Sequence, residues 1–376
     1  MRYATYIIKG LPSKDNPHAA VVPPISLATT YVQKALGEEG AFVYQRGGNP
    51  TRAAVESLAA GMEGASHAFA FATGMAASSA VFELFGAQDK IVFNAAVYGG
   101  TYRYSHQLFA SRGIECEMAA DINELDELDG KTKAIFIETP ANPTLRVTDI
   151  RKAADLAHKH NAILIVDNTF LTSYLQRPLE LGADIVVYSA TKFLGGHADA
   201  LAGLAITNDE RIASKLKLFQ NTMGAPLSPF DSYSLIRGIK TLSVRMDRHL
   251  ENTEKLIAFL RGRKEIKKLW YAGSHSEEEA KIQASQAKGI GSVISLELED
   301  GLSPAAFVSN LKLFELAVSL GGVESLICHP STMTHEAMSE DYRAWAGIPA
   351  GLLRLAIGIE DSGDLAEDIG QALLKA

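Results

Sequence analysis

Residues 134–167, AIFIETPANPTLRVTDIRKAADLAHKHNAILIVD, hold the pattern that decides the fold. Two short apolar runs, Ala134–Ile137 and Ala162–Val166, flank a helical pattern at Arg151–His160. Strands of a parallel sheet are buried on both faces, so they read as short and nearly continuous apolar runs. A strand, a helix and a second strand in this order connect neighbours of such a sheet. The segment therefore predicts an α/β fold built on a mostly parallel sheet.

The same pattern continues on both sides of this segment. Apolar runs at Lys90–Phe93 and Ile185–Tyr188 predict two further strands of the sheet. After them, apolar residues recur at roughly helical spacing from Leu235 to Leu260, which predicts one long helix leaving the first domain. Val293–Leu298 and Leu352–Ile359 then predict strands of a smaller C-terminal α/β domain.

The chain divides into three parts with different patterns. Residues 1–47 show no strong periodicity and contain several Pro and Gly, so we predict an extended N-terminal arm that packs on another surface, such as a neighbouring subunit. We predict a large domain at residues 48–243 and a C-terminal domain at residues 244–376. A length of 376 residues suits two domains of ordinary size.

The composition limits the classes of function. Apolar residues make up 47% and charged residues 21% of the chain, which is typical of a folded protein with a sizeable core. A formal net charge of −8 disfavours a nucleic-acid partner. The two cysteines, Cys116 and Cys328, indicate a reducing compartment, and no leader or long apolar span is evident. We therefore expect a cytoplasmic protein without a membrane partner, and no motif predicts a metal site.

Polar side chains follow three of the predicted strands at the points where the strands end. These residues are Glu138, Asn142, Asp167, Ser189, Thr191 and Lys192. Ligands of an open parallel sheet bind beyond the carboxyl ends of its strands, so we expect these side chains at one edge of the sheet. Lys192 lies between hydroxyl groups and an aromatic residue, which suits an amine that reacts with an aldehyde. The alternative is a surface lysine in a loop.

Three further features point to the same kind of ligand. Asp167 follows four apolar residues, and a buried carboxylate needs a positive partner such as a protonated pyridine nitrogen. Thr73–Ser78 predicts a turn that opens a helix, where free N–H groups suit a phosphate, and Tyr98 could stack on a flat ring. Taken singly, these residues also fit a capping aspartate, a turn glycine and a packed aromatic. Together with Lys192 they predict pyridoxal 5'-phosphate (PLP) as cofactor.

Eight short motifs are spread over nearly the whole chain. They are YQRGGNPT at 44–51, TGMAA at 73–77, YGGT at 98–101, ETPANP at 138–143, VDNTF at 166–170, SATK at 189–192, SLGG at 319–322 and LRL at 353–355. In this order they closely resemble the cystathionine/methionine metabolism family of PLP-dependent enzymes. The resemblance implies an aspartate-aminotransferase-type fold (fold type I), with a PLP-binding large domain and a smaller C-terminal α/β domain. It also implies a homotetramer, a dimer of dimers whose active sites are shared between subunits.

The resemblance assigns a role to each motif residue. Lys192 would be the lysine that bonds to PLP and moves protons, with Tyr98 as its catalytic and stacking partner, and Asp167 would bind the pyridine nitrogen. The phosphate would be held by Gly74, Met75, Ser189 and Thr191, together with Tyr44 and Arg46 of the neighbouring subunit. The substrate carboxylate would be held by Asn142, Ser319 and Arg354.

Two positions bear on the reaction. Val318 stands where many γ-synthases and γ-lyases of the family have Glu, and Gly100 stands where methionine γ-lyases usually have Cys. This combination resembles bacterial β-lyases. We therefore expect a carbon–sulfur lyase that cleaves cystathionine and related cysteine S-conjugates by β-elimination, giving homocysteine or another thiol, pyruvate and ammonia. The alternatives are a cystathionine or methionine γ-lyase, a γ-replacement enzyme of the cystathionine γ-synthase or homoserine sulfhydrylase type, and a non-catalytic protein that retains the fold.

Overall fold

The structure is a computed structural model that describes residues 1–16 and 19–376. Pro17 and His18, part of the predicted arm, lie outside the described residues. The first half of the described chain contains the helices and strands α1 Tyr3–Lys9, α2 Pro50–Glu63, β1 His67–Phe71, α3 Gly74–Phe82, β2 Lys90–Asn94, α4 Gly99–Gln107, α5 Phe109–Arg112, β3 Glu115–Ala119, β4 Thr132–Glu138, α6 Ile150–Lys159, β5 Ile163–Asp167, α7 Thr172–Leu175, β6 Ile185–Ser189 and β7 Gly203–Thr207.

The second half is richer in helices. Its elements are α8 Glu210–Thr222, α9 Pro229–Ile239, α10 Leu242–Leu260, β8 Ile266–Trp270, α11 Glu277–Gln286, β9 Val293–Leu298, α12 Pro304–Asn310, β10 Glu315–Leu316, β11 Leu326–Cys328, α13 Glu340–Trp345, β12 Leu353–Ala356 and α14 Ser362–Leu373. Five of these strands form a second sheet in the order β10-β11-β12-β9-β8, as predicted for a smaller α/β unit.

The large sheet confirms the prediction of a mostly parallel arrangement. Its strand order is β1-β7-β6-β5-β4-β2-β3, and only β7 runs antiparallel to its neighbours. Helices cover both faces, so the central strands are buried as continuous apolar runs. Because β4, β5 and β6 run in the same direction, their polar terminal residues meet at one edge. Glu138 and Asp167 are register partners there.

The N-terminal arm is only partly extended. Tyr3–Lys9 form α1, and Ile7 is fully buried against the large domain. Tyr3 places its hydroxyl 2.8 Å from the Ser173 hydroxyl. The prediction of an extended arm over residues 1–47 is therefore wrong for residues 3–9, where the apolar side chains pack on their own chain. The proposed boundary between residues 243 and 244 falls within the first turn of α10 and stays a prediction.

The predicted single helix from Leu235 to Leu260 is broken between α9 and α10. Thr241 has φ −107° and ψ 5°, which is not helical. The buried Arg245 guanidinium occupies the break, where it donates to the carbonyls of Gly238 and Phe193, each at 2.7 Å, and to Thr241 Oγ1 at 3.1 Å. Hydrogen bonds from a residue one turn later thus satisfy groups that a continuous helix would pair internally. The predicted strand at Leu352–Ile359 is also shorter, since β12 spans Leu353–Ala356.

Within residues 1–16 and 19–376, none of the helices combines the length and the apolar character needed to cross a bilayer.

Candidate active site

A cavity of about 460 Å³ lies at the carboxyl edge of the large sheet, where the second sheet approaches it. Eleven of the predicted site residues line it: Gly74, Met75, Tyr98, Asn142, Asp167, Ser189, Thr191, Lys192, Val318, Ser319 and Arg354. They come from strand ends, a helix start and the C-terminal domain. The structure therefore gathers into one space residues that are up to 280 positions apart, from Gly74 to Arg354.

Lys192 occupies the loop after β6, and its ammonium group points to the C-terminal domain. Lys192 Nζ donates to Ser319 Oγ at 2.6 Å. Burial, with the nearby charge of Arg354 as the second cause, lowers the pKa of Lys192 to about 8. An amine in this state supplies a neutral base and nucleophile near physiological pH.

Arg354, on β12, is held in place by two of its three nitrogens. Nη1 donates to Asn142 Oδ1 and Nη2 donates to the Ser319 carbonyl, both at 2.8 Å. Arg354 Nε is buried and has no hydrogen-bond partner among the described residues. A buried guanidinium with an open donor beside a cavity suits a carboxylate ligand.

The Ser319 turn brings the second sheet close to Lys192. Ser319 has φ +91°, and Gly321 follows with φ +78°. A Cβ atom at Gly321 would lie 2.7 Å from the Phe193 backbone nitrogen, so only glycine permits this approach. The turn thus depends on the glycine of the SLGG motif, and it places the Ser319 hydroxyl against the lysine.

Two carboxyl groups, the buried Glu138 and the half-buried Asp167, lie side by side at the ends of β4 and β5. Asp167 Oδ1 accepts the Thr169 N–H at 3.0 Å, and Glu138 Oε2 accepts the Tyr98 N–H at 2.6 Å. Burial raises the pKa of both, and the Asp167 charge adds to burial in raising the pKa of Glu138 well above its usual range. No Lys, Arg or His nitrogen of the described chain lies within 4.0 Å of Asp167.

The turn before α3 forms a narrow cradle with the end of β6. Thr73 Oγ1 caps the helix by accepting the Ala76 N–H at 3.0 Å. A Cβ atom at Gly74 would lie 2.8 Å from Ser189 Cβ, so a larger residue would separate the helix start from the strand end. The first-turn N–H groups of α3 are thereby brought beside the Ser189 and Thr191 hydroxyls, which is an arrangement that suits a phosphate.

Tyr44 and Arg46 do not join this cavity. They line a second pocket of the same chain together with Arg52 and Ser228. Arg52 is buried and donates from Nη2 to the Arg46 carbonyl at 3.1 Å, which fixes the turn that carries both residues. Within one chain, these two predicted phosphate ligands are thus remote from Lys192.

Sequence reasoning missed several lining residues. Arg103, on α4, faces the cavity with no carboxylate within 4.0 Å among the described residues. Met333 and Thr334 reach it from a segment with no helical or strand periodicity. Arg103 lies in the second turn of the helix that follows Tyr98, and no local pattern of the sequence marks it as a site residue.

The sequence matches the family described as Cys/Met metabolism PLP-dependent enzymes over residues 4–374. The chain belongs to this family. The predicted family, the α/β fold and PLP as cofactor are therefore confirmed.

Known relatives cover the whole chain. A cystathionine β-lyase of Lactococcus lactis subsp. cremoris is 45% identical over 99% of this chain and 98% of the relative. A cystathionine γ-lyase of Bacillus subtilis is 43% identical over 99% of both chains. A crystal structure of the Lactobacillus plantarum cystathionine γ-lyase complexed with L-serine superposes with a TM-score of 0.96 at 40% identity, covering 100% and 99% of the two chains. The prediction of a carbon–sulfur lyase agrees with these names.

The cavity fits PLP by its own chemistry. An enclosed carboxylate without a cation, Asp167, suits the protonated ring nitrogen, and the cradle at Gly74 and Ser189 suits the phosphate. Lys192 is the amine that would bond to the aldehyde carbon, and Tyr98, which also lines the cavity, is the ring that would stack on the cofactor. When bound, PLP supplies an electron sink that stabilises negative charge at the substrate α-carbon.

Proposed function

We propose that this enzyme is a cystathionine β-lyase, which releases homocysteine, pyruvate and ammonia from cystathionine. The observation that carries the proposal is Val318, an apolar side chain at the cavity mouth that is 55% exposed and directly precedes Ser319. Many γ-synthases and γ-lyases of the family carry Glu at this position. The apolar Val318 instead resembles the bacterial β-lyases.

The arginines of the cavity suit a substrate with two carboxylates. Arg354 offers its open Nε donor to the α-carboxylate, next to Asn142 and Ser319. Arg103 is a second cationic side chain at the same cavity, and it has no carboxylate partner among the described residues. Cystathionine carries one α-amino acid group at each end, so both arginines would be paired when it is bound.

Proton transfers follow from the atoms around Lys192. Its neutral Nζ takes the α-proton of the substrate, and the Ser319 hydroxyl at 2.6 Å holds the nitrogen in place. The resulting ammonium, or the hydroxyl of Tyr98, which lines the same cavity, donates a proton to the sulfur as the Cβ–S bond breaks. Asp167 would hold the ring nitrogen of the bound cofactor in its protonated form, while burial and the Asp167 charge keep the pKa of Glu138 well above its usual range.

Elimination at the γ-carbon is the second candidate. The γ-lyase relative is 43% identical and the β-lyase relative 45%, so overall similarity does not separate the two reactions. A cystathionine γ-synthase of Xanthomonas oryzae pv. oryzae, solved in complex with cystathionine, also superposes with a TM-score of 0.94 at 36% identity. The three reactions differ in their keto acid, which gives a direct test.

We further propose that the active site is completed by a second copy of the chain, in a homotetramer located in the cytoplasm. The arm leaves large apolar side chains exposed, with Val21 at 78%, Leu27 at 69% and Val32 at 99%. An apolar surface of this kind on an arm without its own core supports burial against a partner. Tyr44 and Arg46 lie on the same arm, remote from their own Lys192 cavity. The free thiols Cys116 and Cys328 support a reducing compartment.

Product identification tests the function. The holoenzyme is supplied separately with cystathionine, cysteine and methionine, and the keto acid is identified by chromatography. Pyruvate from cystathionine is expected. 2-Oxobutyrate would replace the proposal with γ-elimination, and the absence of any keto acid would refute both elimination reactions. Lys192→Ala protein should form neither keto acid.

A further inference from the structure

The loop that carries Asn142 is held by side chains from far along the chain. Three consecutive backbone carbonyls, at residues 142–144, each accept a hydrogen bond from a different side chain. The donors are, in order, His335 Nε2 at 3.1 Å, Ser295 Oγ at 2.7 Å and His275 Nε2 at 2.7 Å. Because all three belong to the C-terminal part of the chain, the loop is fixed to the same unit that carries Arg354.

His335 donates a hydrogen bond to the Asn142 carbonyl, and the Val97 carbonyl also lies near its ring. His335 is fully buried, and burial, with the charge of Arg354 as the second cause, lowers its pKa to about 4. A carbonyl only accepts, so Nε2 carries the proton toward Asn142. Nδ1 then accepts from the Thr334 hydroxyl at 2.8 Å. The imidazole is neutral with both nitrogens paired, and it adds no second charge beside Arg354.

The bond from His335 bears on the orientation of the Asn142 side chain. Asn142 accepts two hydrogen bonds. Its backbone carbonyl accepts from His335 Nε2, and its side-chain Oδ1 accepts from Arg354 Nη1 at 2.8 Å. Fixing the backbone at this position limits where the amide oxygen can lie. Ser295, which holds the next carbonyl, is the register partner of Arg354 on the neighbouring strand. The guanidinium and its amide partner are therefore positioned by one framework.

The segment around His335 also packs closely against the start of α4. A Cβ atom at Gly99 would overlap the Thr334 carbonyl, so the two backbones are in direct contact. Tyr342 reinforces this contact by donating to the Ala95 carbonyl at 3.0 Å. His335 thus lies between the elements that present Tyr98 and Asn142 to the cavity.

We propose that His335 is a positioning residue for the substrate α-carboxylate, acting through its hydrogen bond to the Asn142 carbonyl. The inference rests on the proposed function for the assignment of Arg354 to that carboxylate, and it deepens it. Without the donor, the Asn142 amide loses its fixed place beside Arg354, and the guanidinium is free to turn away from the ligand. The loss should appear in the binding of carboxylates and leave cofactor binding intact.

His335→Leu removes the donor at similar volume, and His335→Gln restores an N–H at a similar reach. The matched control is Gln286→Leu, because Gln286 Nε2 donates to the Thr148 carbonyl at 3.0 Å, on the far end of the same loop. KM is measured with cystathionine as substrate. Kd is measured for glycine and for methylamine, and their binding is monitored by the absorbance of the bound cofactor. Glycine carries an α-carboxylate and methylamine does not.

In His335→Leu, we expect KM for cystathionine and Kd for glycine to rise about tenfold, which corresponds to about 1.4 kcal/mol. Kd for methylamine, PLP content and kcat should stay within about threefold of wild type. His335→Gln should recover most of the loss, and Gln286→Leu should leave both constants unchanged.

An equal rise for glycine and methylamine, or an equal effect of Gln286→Leu, would overturn the positioning role. If the leucine variant does not fold, His335→Asn, whose amide is too short to reach the carbonyl, replaces it, and a wild-type KM would overturn the inference. A wild-type enzyme that yields no pyruvate refutes the proposed function separately, since the ratio of glycine to methylamine binding does not depend on the reaction.

Discussion

Val318→Glu is expected to change which substrates the enzyme prefers. The Val318 side chain lies at the cavity mouth. The next residue, Ser319, accepts the hydrogen bond from Lys192 Nζ. A fully formed charge-assisted hydrogen bond to the distal ammonium of cystathionine is worth about 1.5–3 kcal/mol. Because Val318 is 55% exposed, water competes for both charges, and exposed ion pairs contribute about 0.2–1 kcal/mol. We therefore expect the preference for cystathionine over S-methylcysteine, which lacks the distal amine, to rise about two- to fivefold.

The measurement is kcat/KM for cystathionine and S-methylcysteine in wild type, Val318→Glu and Val318→Gln. Gln matches Glu in size and lacks the charge, so it separates an electrostatic effect from a change of shape. We also expect the share of 2-oxobutyrate among the keto acids to increase with Glu alone. An unchanged ratio of the two kcat/KM values, or an equal change with Gln, would refute the electrostatic reasoning.

Three other predictions follow from named contacts. Since the neutral form of Lys192 predominates above a pKa of about 8 before substrate binds, kcat/KM should fall roughly tenfold per pH unit below that value; a limb near the usual lysine pKa would contradict this. Gly99→Ala should lower the free energy of unfolding by about 1–3 kcal/mol in denaturant titrations, because its Cβ would overlap the Thr334 carbonyl, whereas Gly130→Ala, with open space around it, should change it little. Mixing inactive Arg46→Ala and Lys192→Ala proteins under subunit exchange should restore activity, and mixed oligomers without activity would show that the arm does not act across the interface.

The parts of the fold that were predictable are those with a continuous local signal. The strand predicted at Ile185–Tyr188 is observed at Ile185–Ser189, because a strand buried on both faces needs an uninterrupted apolar run. The break after Ile239 was not predictable, since the apolar spacing continues through it. What ends the helix is a tertiary effect, the Arg245 guanidinium bonded to carbonyls on two separate elements.

The candidate site divides in the same way. Asp167 and Lys192 were found as polar residues at strand ends, because topology alone brings such positions together. Arg354 and Ser319 came from the family resemblance, as no local pattern links them to the large sheet. Neither the strand-end pattern nor the family resemblance pointed to His335. Its segment lacks periodicity, and its proposed role depends on one carbonyl 193 positions away.

The charges of the cavity make substrate binding and proton transfer depend on each other. Burial is the main cause of the low pKa of Lys192 and Arg354 is the second, so the group that attracts a carboxylate also increases the neutral fraction of the lysine before substrate arrives. Once a carboxylate pairs with Arg354, the positive potential at Lys192 Nζ decreases and the amine becomes a stronger base. Proton abstraction is therefore favoured only after the carboxylate is in place. Amines without a carboxylate meet a weaker base, which gives discrimination in the chemical step as well as in binding.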